Sequence, residues 1–100
     1  MEASRLDRIH VATHRETIEM PWSSRQALLE RLRERPDAAS AVSKFEAVGA
    51  SRPVKMTPDE KLAVLWALHY WLDEVTVDGL PPGVMDLRNA LIDDADRGEL

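Results

Sequence analysis

One hundred residues with net charge −5, 31% charged and 44% hydrophobic, make up one domain's worth of globular chain. The chain has no cysteine, which excludes disulfides, thiolate metal sites and a cysteine nucleophile. Residues 57–100 hold ten acidic and three basic side chains, a balance that opposes binding to phosphate backbones, so no nucleic-acid partner is expected.

The N-terminal stretch reads two ways. Ile9, Val11 and Thr13, then Ile18, Met20 and Trp22, alternate with a period of two, as strands do. "THRE" between them can turn the chain, whereas Leu6, Ile9 and Thr13 also fit a helix. An extended segment or short β-ribbon over residues 1–22 is the expectation, packed on a helical region of residues 23–100 within one folding unit.

The rest reads as a mainly α bundle of about four helices, over residues 24–35, 38–48, 58–76 and 84–96. Pro21 disfavours helix at Met20, and Ser23 or Ser24 is expected to cap the first helix, whose apolar stripe is Leu28, Leu29 and Leu32. Arg25, Arg31, Arg33 and Arg35 alternate with Glu30 and Glu34, as on a solvated face laced with salt bridges. Pro36 stops that helix and Asp37 is placed to cap the next. Ala41, Val42, Phe45 and Val48 share one face there, with Gly49 as its left-handed cap. "TPDE" is the strongest local signal. Thr57 is an N-cap, Pro58 the first helical residue, and Glu60 the third residue after the cap. "DGLPPG" breaks the chain before the last helix, where Val84, Leu87, Leu91 and Ala95 are expected inside and Asp86, Asp93, Asp94 and Asp96 in water.

The third helix is too oily for one buried stripe. At about 100° per residue, Val64, Leu68, Trp71 and Val75 form one line. Leu62, Leu65, Trp66, His69 and Leu72 form a second, and Ala63, Ala67, Tyr70 and Glu74 a thinner third. The first two are expected to be core, with His69 at its boundary and Asp73 in reach. The third face, Ala63, Ala67, Tyr70 and Glu74 with nearby Trp66, is the candidate partner interface.

His10 and His14, four apart with Glu16 nearby, could hold a divalent ion, but no third ligand stands at motif spacing. Asp93, Asp94 and Asp96 lack the spaced glycine loop of a calcium site. Phosphate-cradling and nucleophile-elbow motifs are absent as well. No cofactor or metal is therefore expected.

The function expected is a small non-catalytic protein–protein interaction domain, forming a homodimer or docking on a protein partner through the third helix. One alternative is an inhibitor of antitoxin or immunity type that uses the acidic C-terminal half. Another is a small enzyme or ligand-binding domain that uses His69 or the His10/His14 pair. The N-terminus has no apolar core of a signal peptide and the longest apolar run is half a membrane span, so a cytoplasmic protein without a membrane partner is expected. Ten arginines against three lysines suit a GC-rich bacterial genome.

Overall fold

A computed structural model describes residues 8–47 and 52–100. Strands β1 (Arg8–Ala12) and β2 (Thr17–Pro21) form an antiparallel ribbon, so alternation wins over the helical reading at the N-terminus. The register sets Ile9 opposite Met20 and Val11 opposite Ile18. All four side chains point inward and are buried, while His10 and Glu19 face each other on the outside. The Thr13 hydroxyl and amide both donate to the Glu16 carbonyl, which closes the turn. The connection that precedes the third helix then returns to β1. The Val54 amide donates to the His10 carbonyl at 2.7 Å and the Ala12 amide to the Val54 carbonyl at 2.9 Å, a parallel bridge of Val11 with Val54.

Four helices follow: α1 (Trp22–Arg33), α2 (Ala39–Ala47), α3 (Pro58–Glu74) and α4 (Val84–Asp96). The first begins two residues before the expected boundary. β2 runs straight into it, Pro21 is its N-cap, and no side chain caps it, so neither Ser23 nor Ser24 has that role. Ser24 is instead buried in the first turn. Asp37 also fails to cap. Residues Pro36–Ala38 make a 3-10 turn ahead of α2, and the Asp37 carboxylate accepts from Arg35 at 3.1 Å. Val48 and Gly49, the expected end and cap of α2, lie outside the described residues.

The start of α3 is as the sequence dictates. The Thr57 side chain accepts from the Glu60 amide, and the Glu60 carboxylate accepts from the Thr57 amide, a complete capping box. The helix ends at Glu74, before Thr76, because Val75 is already extended at φ −131°. β-branched residues give up side-chain freedom in a helix, and Val75, Thr76 and Val77 come in a row.

The core joins Ile9, Val11, Ile18 and Met20 of the ribbon to Leu28, Leu29 and Leu32 of α1, Phe45 of α2, Val64 and Leu68 of α3, and Leu87 and Leu91 of α4. Two expectations for α4 are corrected. Ala90 is buried where Ala95 is only half-buried, and Asp94 is 1% exposed. Its carboxylate accepts from the His14 amide at 2.8 Å, so a ribbon-turn donor replaces water. Arg31 and Arg33 of α1 reach across elements and not along their own helix face. Arg31 pairs with Glu74 of α3, and Arg33 with Glu46 of α2. Arg25 is buried, lies over the Trp22 ring at 4.0 Å, and donates to the Phe45 carbonyl. Burial lowers its pKa, with Glu46 opposing and Arg33 adding to the shift.

Candidate interaction surface

Helix α3 packs against α1, α2, the 3-10 turn and α4. The face turned toward these neighbours includes the alanine line. Ala63 and Ala67 are 5% and 4% exposed, so two members of the expected interface are core. Small side chains lie where elements approach closely. Glu74 is on the surface but engaged, 2.5 Å from Arg31, whose guanidinium also lies over the Trp71 ring. Of the expected set, only Trp66 and Tyr70 present an exposed apolar surface that neighbouring elements leave open.

The line expected to be core faces out instead. Leu62 is 43% exposed and Trp66 46%, Leu65 and Leu72 are half-buried, and His69 is exposed. With Tyr70 at 49%, every large exposed hydrophobic residue among those described lies on α3. Leu62, Trp66 and Tyr70 are four residues apart, hence stacked one turn above another. The Trp66 and Tyr70 rings stack with centroids 5.9 Å apart and planes at 28°. The His69 ring stands edge-on to both at 5.8 Å. Arg35 lies over the Tyr70 ring at 5.0 Å, and its charge is shared with Asp37.

Beside this ridge runs a groove between α3 and α4, about 240 Å³ in volume, lined by Leu62, Leu65, Trp66, His69, Arg88 and Ile92. The α4 contribution was missed from sequence, although it leaves a signal. Once Val84, Leu87 and Leu91 point inward, Arg88 and Ile92 fall four apart on the flank of the helix. Among the described residues, Arg88 is the one charged side chain in the groove lining. Its Nε is buried without a hydrogen-bond partner, and its Nη1 reaches only the neighbouring Asn89 at 3.5 Å. Among the described residues no carboxylate pairs with it. Asp73, one turn beyond His69 on the exposed ridge, also has no ion pair among them.

The other polar candidates are scattered. His10 lies 3.5 Å from Glu19 on the ribbon and His14 3.8 Å from Glu99 near the C-terminus. Among the described residues, no group of three or more His, Asp or Glu side chains could hold a metal ion. Asp93 pairs with Arg97, Asp94 is buried, and Asp96 is exposed. An open cleft of about 410 Å³ between β2 and α4 is edged by Glu16, Glu19, Asp86 and Asp93. Two of these carboxylates already have cations, Glu19 from Arg8 and Asp93 from Arg97. Glu60 is buried with Ser40, Lys44 and the Thr57 amide around its carboxylate. Desolvation raises its pKa, but the hydrogen bonds and the Lys44 charge outweigh it, so the pKa is lowered overall. This group fastens α2 to the start of α3. No described helix is long and apolar enough to cross a membrane. The chain matches no family model, no curated protein and no solved structure.

Proposed function

We propose that the protein is a non-catalytic interaction domain that docks on protein through the outward face of α3 and its groove with α4. One observation carries this reading. All the large exposed hydrophobic residues among those described form a single ridge, on the helix that also organises the core. Scattered exposed apolar residues are ordinary, but a contiguous ridge bordered by a groove is the signature of a contact surface. Tryptophan and tyrosine are favoured anchors there because they bury much area with little loss of rotamer freedom. His69 fits the same role. Its ring packs against Trp66 and Tyr70, and among the described residues no carboxylate hydrogen-bonds to it to orient it as a base.

Site-specific photo-cross-linking in cells tests the reading. A benzophenone side chain at position 62 should form a protein adduct, and one at Glu30, exposed on α1, should not. Trp66→Ser in the same chain should abolish the adduct while helicity stays unchanged. Equal labelling from positions 62 and 30 would refute the reading.

A further inference from the structure

Resting on the interaction reading, we infer that the partner is a second copy of this chain, paired antiparallel along α3 with the two-fold axis near Tyr70. A two-fold interface uses one patch on both molecules, so the patch must carry both halves of every contact. This one does. Its apolar part is one continuous strip, the half-exposed Trp66 beside the α3–α4 groove lined by Leu62, Leu65 and Ile92. It also offers both members of an ion pair. Arg88 sits in the groove at the level of Trp66 and His69 without a carboxylate, and Asp73 stands exposed on the ridge without a cation, among the described residues.

The charges choose the register. In an antiparallel pair, residue numbers that face each other add to a constant. An axis near Trp66 would bring Asp59 of one copy opposite Asp73 of the other, two carboxylates together. Moving the axis to Tyr70, about 6 Å along the helix, removes that conflict. Asp59 then lies beyond the end of the other α3. Asp73 comes level with Trp66 and His69 of the second copy, and so with its Arg88. The two tyrosines meet at the axis, each backed by its own Arg35. Two identical Asp73–Arg88 pairs flank them, both drawn from groups that have no ion-pair partner among the described residues of one chain.

The test is sedimentation equilibrium from about 1 μM to 1 mM, a span of weak to moderate affinities, with charge reversal. The wild type should reach twice its 11.3 kDa mass. Asp73→Arg and Arg88→Asp should each weaken association roughly tenfold or more, since each leaves like charges facing. The double variant should return to within a few-fold of wild type, and Trp66→Ser should stay monomeric with its helicity intact. A wild type monomeric throughout, or a double variant no better than the singles, overturns the inference. A monomeric wild type that still forms an adduct with a different protein from position 62 overturns the second copy alone. The interaction reading fails only if that adduct is missing too.

Discussion

Two leucines on one helix differ by where they point. Leu68 is 1% exposed, and Leu68→Ala should cost about 2–5 kcal/mol, because neighbours collapse only partly into the space left. Urea unfolding should show it as a lower midpoint with an unchanged slope. Leu62 is 43% exposed, and Leu62→Ser should change stability by no more than about 0.5 kcal/mol in the monomer. A cost at Leu62 matching that at Leu68 would mean that the outward face is packed within the chain. Gly83 is a third case. Its φ is +85°, and an added Cβ would lie 2.6 Å from the Met20 Cβ and 3.0 Å from the Glu19 carbonyl oxygen. Gly83→Ala should therefore destabilise by at least about 1–2 kcal/mol from backbone handedness alone, with the contact to β2 added. Thermal melts beside Gly98→Ala, which has a positive φ but open space, separate the two causes.

At the scale of elements, the join of α2 and α3 has a definite pH dependence. The Glu60 pKa is lowered in the folded chain by Ser40, the Thr57 amide and Lys44. The unfolded chain then binds that proton more readily, so stability rises with pH through this window. The contribution is present above the ordinary carboxylate range and is lost as the pH falls below about 4.5 and through the folded value. Glu60→Gln can keep the capping box but cannot titrate. Its urea midpoint should fall less steeply than that of wild type between pH 5 and 3. Parallel curves would show that Glu60 adds nothing to acid sensitivity.

The same scale shows what sequence can carry. The capping box, Pro58 and the strand alternation act between residues a few positions apart, so Thr57, Glu60, Ile9 and Val11 announce themselves. The rotation of α3 depends on distant partners. Hydrophobicity alone would bury Leu62 and Trp66 before Ala63 and Ala67. The observed rotation does the opposite, because α1, α2 and the 3-10 turn crowd the alanine side, where bulky residues would hold the elements apart. Hence Tyr70 is legible in the sequence as a surface anchor, Trp66 reads both as core and as surface, and the groove walls Leu62 and Leu65 read as core. Arg88 and Ile92 needed α4 in place beside them before they had a meaning. Asp94 escaped for a similar reason, since its donor, the His14 amide, is 80 residues away.

Across the whole molecule, charge and oil are segregated. The acidic cleft lies between β2 and α4, and the exposed apolar ridge rises on α3. If α3 pairs with itself, association draws folding along by mass action. The Tm of the wild type should then climb with protein concentration, while that of Trp66→Ser stays level. Scanning calorimetry at two concentrations a hundredfold apart decides this, and coincident melts for both proteins would count against pairing.

The bridge between Val11 and Val54 also has a kinetic meaning. The loop it closes spans both α1 and α2, so its hydrogen bonds join segments that reach each other only after much of the chain is ordered. The amide of Val54, held at 2.7 Å on the His10 carbonyl, is thus a sentinel for long-range order. Deuterium should enter it at the rate of global opening, and any mutation that lowers total stability should speed its exchange by the same free energy.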